Sequence, residues 1–189
     1  MAGRSADILA GAVLVTANPG KLDEARRLCG RRLDWSPVDL PEIQSLDLKA
    51  VLRAKASAAW DAVGRPLLVE ETGLELAALN GFPGPLVKWM LAAVGASGIA
   101  RVALALGDAS AAARCALLYF DGEHQWIAEG STPGELVLPA RGDRGFGWDP
   151  VFQPEGESRT YAEMEPAEKD RVSHRAAAWR RLVVLLETV

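Results

Sequence analysis

Four parts of the sequence combine residue types that bind phosphate, metal ions or aromatic bases. The first joins a predicted strand to a predicted helix, where free backbone N–H groups and the helix dipole attract anions. It consists of Thr16, Ala17, Asn18, Pro19, Gly20 and Lys21. Taken alone, this segment is equally typical of an ordinary Asn-Pro-Gly turn followed by a surface lysine. It is therefore compatible with a phosphate site without establishing one.

The lysines give a second signal, because arginine is the usual basic residue of this chain. Lysine occurs only at positions 21, 49, 55, 88 and 169. A compact ammonium binds phosphate where a planar guanidinium would not fit. Lys55 shares the apolar face of its predicted helix with Val51 and Leu52. Its side chain either extends along that face to solvent or points inward as a phosphate clamp.

Two adjacent carboxylates follow a predicted buried strand, in a place where α/β sheets commonly bind ligands. Glu70 and Glu71 come directly after residues 67–69 and precede Thr72. Successive strand side chains point to opposite faces, so at most one of the two acids is expected to face a shared pocket. Mg²⁺ prefers one or two carboxylates together with phosphate oxygens and water. Glu42 is a candidate for the second carboxylate, although local sequence alone does not single it out.

The last part interleaves aromatic, acidic and basic residues with glycines. Its members are Gly145, Phe146, Gly147, Trp148 and Asp149, followed later by Lys169, His174 and Arg175. Phe146 or Trp148 could stack on a base. Asp149 and Arg175 could contact the polar edge of that base, and Lys169 could contact phosphate. The alternative is a glycine turn whose aromatic rings lie in the core.

Alternating strand and helix patterns would position these segments. Residues 12–17 are predicted to form a buried strand that overlaps the apolar run 8–15, and residues 67–69 a second buried strand. Apolar residues at helical spacing predict one helix that ends at Gly30 and another that ends at Gly64. The sequence therefore begins as a strand–helix repeat.

The rest of the chain predicts an antiparallel hairpin and a closing helix. Residues 116–120 and 125–128 flank an Asp-Gly turn at position 121, which is typical of a hairpin. Ser173 is expected to cap the last helix. The apolar face of this helix carries Ala176, Trp179, Val183 and Leu186, with Arg180 and Arg181 toward solvent. We therefore expect an α/β fold with a mixed sheet.

Composition limits the classes of protein. A chain of 189 residues with 49% hydrophobic residues predicts one globular domain. Its net charge of −4 disfavours binding to polymeric nucleic acid. Cys29 and Cys115 are expected to be reduced, buried thiols. The motifs of P-loop, dinucleotide-binding, zinc-hydrolase and serine-hydrolase proteins are missing. With no apolar run near the ~20 residues of a membrane span, we expect a cytoplasmic protein without a membrane partner.

Taken together, the motifs resemble those of the inosine triphosphate pyrophosphatase family, also called the XTP/dITP diphosphatases. The similarity extends over about residues 12–186. The matching segments are 16–21 (TxNxxK), 70–74 (two acids, then [ST]-x-L), 78–85 (ALxGxPGP), 146–150 (FG[YW]DP) and 160–175 (AEM…EK…SHR). Five motifs in this order are highly specific.

The resemblance implies an elongated mixed β-sheet, two α/β lobes and a central nucleotide-binding cleft, usually in a homodimer. It implies hydrolysis of non-standard purine nucleoside triphosphates, such as ITP, dITP and XTP, to the monophosphate and pyrophosphate. The cofactor would be Mg²⁺ or Mn²⁺, held by Glu42 and Glu71. Glu71, Lys21 and Lys55 would act in catalysis, in which water attacks the α-phosphorus.

The resemblance also assigns residues to substrate. The triphosphate would lie against residues 16–21 and Thr72, with positive charge from Lys55, Lys88 and Lys169. The base would be enclosed by Phe146, Gly147, Trp148, Asp149, His174 and Arg175. A donor such as Arg175 facing O6 would favour a 6-keto purine. The family usually has Asp where this chain has Glu71. A nucleotide-binding protein with weakened catalysis, or a pyrophosphatase for modified pyrimidine nucleotides, therefore stays an alternative.

Overall fold

A mixed sheet organises the part of the chain that the computed structural model describes, residues 8–30 and 32–188. Its strands are β1 (Val13–Val15), β2 (Asp34–Ser36), β3 (Leu67–Leu76), β4 (Pro83–Gly84), β5 (Ser110–Phe120), β6 (Gln125–Leu136) and β7 (Phe152–Pro154). The spatial order is β2, β1, β3, β5, β6, β7, and β4 pairs with β3. β1 runs parallel to β2 and β3, and the remaining pairs are antiparallel. The predicted α/β class and mixed sheet are confirmed.

Helices flank this sheet. They are α1 (Pro19–Cys29), α2 (Leu48–Val63), α3 (Val87–Ala105), α4 (Pro166–Val172) and α5 (His174–Glu187). Short 3₁₀ turns cover Ala77–Leu79, Asp149–Val151 and Tyr161–Glu163. The Asn18 side chain caps the start of α1, and Asp47 caps α2. Both helices end at the predicted glycines, Gly30 and Gly64, whose φ angles of 66° and 60° are left-handed.

Several local expectations are met and others need correction. The hairpin is confirmed, with Phe120 opposite Gln125, but both strands are longer than predicted. The run 8–15 is not one strand, because residues 8–10 are helical and β1 has only three residues. Cys115 is buried as expected, whereas Cys29 is only partly buried at the end of α1.

The long strands β3 and β5 pass through two halves of the protein. In the first half, Leu68 belongs to a core with α1 and α5, and Leu67 and Val69 pack toward α2 on the opposite face. In the second half, Leu74 and Leu76 belong to a core with α3 and the 3₁₀ turns. These two halves match the expected lobes, and the strands that join them are continuous.

Within residues 8–30 and 32–188, one helix is long and apolar enough to cross a membrane by length and composition alone, which the sequence pattern did not predict. This helix is α3, and less than a third of its apolar window is buried. Its backbone leaves helical geometry at Gly95, with φ 69° and ψ 172°. Ile99, Ala100 and Ala103 are fully buried in the core of the second half, the one that contains Leu74 and Leu76. These contacts make the C-terminal half of α3 part of the folded core.

Candidate active site

A cleft of about 720 Å³ opens beyond the carboxyl end of β1 and beside the middle of β3. Its walls come from the turn before α1, the segment before α2, the start of α3, the 146–149 turn and the start of α5. Every predicted site residue lines this cleft except Gly20 and Lys169. The fold therefore brings together segments that are far apart in the chain.

A gap in the edge of β3 creates this opening. β1 pairs only with Leu67 and Leu68, and β4 pairs only with Leu74 and Glu75. Between those pairings the edge of β3 is uncovered, so side chains from both of its faces can border the cleft. Both Glu70 and Glu71 do so. The expectation that at most one of them faces the pocket is therefore wrong.

The turn before α1 is held by hydrogen bonds at each step. The Asn18 N–H donates to Thr16 Oγ1 at 3.1 Å, and the Lys21 N–H donates to Asn18 Oδ1 at 3.2 Å. The indole Nε1 of Trp35 donates to the Thr16 carbonyl at 2.7 Å. The turn therefore presents a defined backbone to the cleft at the N-terminus of α1, where anions bind favourably.

A cluster of two lysines and two glutamates occupies one wall. Lys55 points inward and is 7% exposed, which excludes the solvent-directed alternative. Its Nζ contacts Glu71 and donates to Glu42 Oε1 at 3.0 Å, and Lys88 Nζ lies 3.1 Å from Glu42 Oε2. Burial opposes ionisation of both Lys55 and Glu42. Their charged partners outweigh burial, raising the pKa of Lys55 and lowering the pKa of Glu42.

The two carboxylates of this cluster suit a divalent metal ion whose remaining coordination positions are filled by other ligands. Glu42 and Glu71 contact the same ammonium, so they lie within two hydrogen-bond lengths of each other. The described residues contain no group of three or more acidic, His or Cys side chains able to hold a metal. Two carboxylates with phosphate oxygens and water are a ligand set that Mg²⁺ accepts. The donors therefore suit an ion that arrives with a phosphate ligand.

A second, fully buried charge network forms the floor of the cleft. Arg175 contacts both Glu70 and Glu24, and Lys169 Nζ joins Glu24 and Asp149 at 2.8 and 2.7 Å. Burial opposes ionisation of Glu70 and Glu24, but their cationic partners hold both pKa values below the usual range. Burial is the largest effect on Asp149 and raises the pKa of that carboxyl.

This network holds Lys169, which was expected to contact phosphate, and it includes Glu24, which was not among the predicted site residues. Lys169 is 4% exposed and its ammonium binds carboxylates below the cleft surface. Glu24 links Lys169 to Arg175. It lies three residues after Lys21 on α1, so the two side chains share a helix face. The three-residue spacing from Lys21 was the sequence signal that could have identified Glu24 as a neighbour of the cleft.

Phe146 is a partly buried aromatic ring that lines the cleft. A Cβ added to Gly20 would lie 2.5 Å from this ring, so only glycine leaves room for it. Lys169 Nζ and the Arg175 guanidinium lie 5.2 and 5.4 Å from the ring centroid. Trp148, by contrast, is 8% exposed and packs in the core of the second half. Phe146 is therefore the better placed of the two rings for stacking on a base.

His174 lies buried at the start of α5 with both ring nitrogens unsatisfied. Neither nitrogen has a hydrogen-bond partner within the described part of the chain. Burial, and then the nearby cations Arg175, Lys169 and Lys21, lowers the pKa of His174 well below its ordinary value. His174 is therefore a neutral imidazole with one donor and one acceptor nitrogen, and it is one of the residues that line the cleft.

Glycine at position 130 allows α5 to lie this close to the sheet. A Cβ at Gly130 would come within 2.0 Å of the His174 carbonyl oxygen. The first turn of α5 consequently rests directly on β6, and its side chains reach the cleft.

Comparisons with known proteins agree with this arrangement. The chain matches the Ham1 family over residues 12–185, and it belongs to that family. It is 41% identical over 185 residues to an inosine triphosphate pyrophosphatase of Schizosaccharomyces pombe, covering 96% of this chain and 97% of that protein. An inosine triphosphate pyrophosphatase of Batrachochytrium dendrobatidis is 42% identical over 171 residues, with 88% of each chain covered.

Solved structures show the same fold. A Ham1 protein from Coxiella burnetii superposes with a TM-score of 0.78 at 27% identity, covering 94% of this chain and 99% of that chain. A dITP/XTP pyrophosphatase from Mycobacterium abscessus superposes with a TM-score of 0.67 at 30% identity, covering 93% and 98%. The family resemblance of the sequence motifs is confirmed.

Proposed function

We propose that this chain hydrolyses non-standard purine nucleoside triphosphates, such as ITP, dITP and XTP, to the nucleoside monophosphate and pyrophosphate. One observation carries the proposal. A single cleft is lined by a capped turn at a helix N-terminus, a pair of carboxylates suited to a metal ion, the partly buried Phe146 ring, and His174, whose ring nitrogens have no hydrogen-bond partner in the described part of the chain. The names of the curated relatives describe the same activity.

Charge balance in the cleft supports a divalent cation. Lys21, Lys55, Lys88 and Arg175 each lie within salt-bridge distance of a carboxylate. These cations are therefore already neutralised, and a triphosphate would bring several further negative charges. A divalent cation at Glu42 and Glu71 would supply the missing charge and stabilise the negative charge on the phosphates as the bond breaks.

The chain's own residues account for the remaining steps. Glu71 orients the attacking water and accepts its proton. The water oxygen bonds to the α-phosphorus, and the bond from that phosphorus to the bridging oxygen breaks, releasing pyrophosphate. Lys55 exchanges its carboxylate partners for phosphate oxygens, and Lys21 holds phosphate beside the N-terminus of α1.

Base selection follows from donors and acceptors near Phe146. Arg175 can only donate hydrogen bonds, so it suits the O6 acceptor of a 6-keto purine and opposes the amino group of adenine. The neutral His174 can donate with one nitrogen and accept with the other. Together they favour hypoxanthine and xanthine over adenine. Guanine also carries O6, so GTP belongs among the compounds tested.

The proposal also covers the metal ion, the oligomeric state, the location of the protein and the class of substrate. We propose Mg²⁺ as the working ion, with Mn²⁺ as a substitute, because the donors are oxygen atoms. The homodimer and the cytoplasmic location stay predictions. The net charge of −4 supports a free nucleotide rather than polymeric nucleic acid as the substrate.

The test is product analysis with a panel of nucleotides. The protein is incubated with Mg²⁺ and ITP, XTP, dITP, GTP, ATP or a modified pyrimidine triphosphate, and the products are separated by chromatography. We expect monophosphate and pyrophosphate from ITP and XTP. Release of orthophosphate with nucleoside diphosphate would contradict the reaction. Binding without turnover would favour a nucleotide-binding protein, and preferred turnover of the pyrimidine would favour that alternative substrate.

A further inference from the structure

Trp35 contacts the turn before α1, residues 16–18, from outside the cleft. It lies on the edge strand β2, is 42% exposed, and is not among the described residues that line the cleft. Its indole Nε1 donates to the Thr16 carbonyl at 2.7 Å, and the Thr16 N–H donates to the Ser36 carbonyl at 3.0 Å. Both backbone polar groups of Thr16 are therefore fixed by β2.

This contact sets the direction of the next amide. In a trans peptide the C=O and N–H groups point in opposite directions. Because the Thr16 carbonyl points to Trp35, the N–H of Ala17 points away from β2. Ala17 lines the cleft, and its N–H donates to no group in the described ranges 8–30 and 32–188. An unpaired amide beside a helix N-terminus is a donor for an anion.

We propose that Trp35 is a positioning residue, whose indole N–H holds the Thr16–Ala17 peptide so that the Ala17 N–H faces the triphosphate. The inference rests on the proposed function, because it needs a phosphate ligand in the cleft. Without the indole, the peptide can rotate and turn the Thr16 carbonyl oxygen toward the phosphates. Trp35 acts through Thr16 and does not touch the substrate.

The first test removes the indole N–H and keeps an aromatic ring. Affinity for inorganic tripolyphosphate in the presence of Mg²⁺ is measured calorimetrically for wild type, Trp35→Phe and Trp126→Phe. Trp126 lies on the hairpin, packed against Tyr119, and serves as the control. We expect Trp35→Phe to bind roughly 3–10-fold more weakly, as for one lost hydrogen bond. Trp126→Phe should bind like wild type.

Kinetics and NMR separate positioning from a general loss of structure. An amide that binds phosphate equally in the ground state and in the transition state affects KM alone. KM for ITP should therefore rise by the same factor as the dissociation constant of tripolyphosphate, and kcat should stay within about twofold of wild type. The Ala17 amide signal should move when tripolyphosphate is added to wild type, and move less in Trp35→Phe. A drop in kcat at unchanged KM, together with a lower melting temperature, would overturn the proposal.

Other outcomes also decide the proposal. Equal tripolyphosphate affinity in Trp35→Phe and wild type would overturn it, as would an Ala17 signal that tripolyphosphate leaves unmoved in wild type. If wild type binds tripolyphosphate and the Trp35→Phe loss is seen, but no nucleotide is hydrolysed, the positioning role stands and the proposed function fails.

Discussion

Arg175 holds Glu70 with two of its guanidinium nitrogens. Nε lies 3.0 and 2.9 Å from the two carboxylate oxygens, and Nη2 lies 2.9 Å from Oε1. Both side chains are buried, and they join the start of α5 to the middle of β3. A planar fork matched to a carboxylate is a rigid arrangement. It fixes the floor of the cleft.

Glu70→Gln should destabilise the fold. The substitution keeps the shape but leaves Arg175 with one charged partner, Glu24, in a buried site. Removing one member of a buried ion pair costs about 3–5 kcal/mol of unfolding free energy, measured by urea denaturation. Glu75→Gln is the control, because Glu75 lies on the same strand and its contact with Arg114 is exposed. Equal stability of the two variants would refute the structural role of Glu70.

Glu71→Gln should act on catalysis instead. If Glu71 orients the water or binds the metal, removing its charge should lower kcat by roughly 10²–10⁴-fold in steady-state assays with ITP. Glu71→Asp has the length usual in the family and should keep substantial activity. The assignment of the two acids is reversed if folded Glu70→Gln is inactive and Glu71→Gln turns over normally.

Lys55→Ala should make the unfolding free energy depend on the concentration of divalent metal ions. Without the ammonium, Glu42 and Glu71 repel each other, and the unfolding free energy should fall by roughly 1–3 kcal/mol. Millimolar Mg²⁺ should recover much of this loss, and Mn²⁺ should bind more tightly without nucleotide than it does to wild type. Lys49→Ala on the same helix removes an exposed pair with Glu129 and should change neither property. Unchanged metal affinity in Lys55→Ala would argue against a metal at these carboxylates.

His174 should make the fold sensitive to mild acid. Its folded-state pKa is lowered, so below about pH 6.5 the unfolded chain takes up a proton that the folded protein excludes. Stability is therefore present above that pH and falls as the pH decreases, by up to about 1.4 kcal/mol per pH unit. His174→Gln should flatten this slope between pH 5 and about pH 6.5 in denaturation curves. His124→Gln on the exposed hairpin turn should retain it.

Gly20→Ala should disturb Phe146 although alanine favours helix. The new methyl would overlap the Phe146 ring, which must shift from its place beside Arg175. We expect a several-fold rise in KM for ITP at near-normal melting temperature, about 3–10-fold if one stacking contact is lost. Gly11→Ala, whose added Cβ has no neighbour closer than 3.9 Å, is the control. Normal kinetics of Gly20→Ala would show that the ring position is unimportant.

Local sequence patterns predicted much of the fold because their causes are local. Gly30 and Gly64 end helices through a backbone conformation that glycine adopts easily, and the Asp-Gly turn at position 121 forms the hairpin. The motif segments placed all but two of the expected residues around one cleft.

The features that were missed depend on contacts between distant segments. Glu24 acquires its role only when α1 packs against α5, 151 residues away in sequence. Lys169 on α4 is buried because its ammonium binds Glu24 and Asp149, which are 145 and 20 residues away in sequence. Glu70 and Glu71 both border the cleft because β1 is too short to cover the edge of β3. The apolar run 8–15 had predicted a longer first strand.

The continuity of β3 and β5 through both halves of the protein limits how such an enzyme can evolve. A cut at the cleft would divide two strands and expose the cores of both halves, so neither half is a module that recombination could transfer to another gene. The cleft walls and the sheet that carries them therefore form a scaffold that is inherited as a whole.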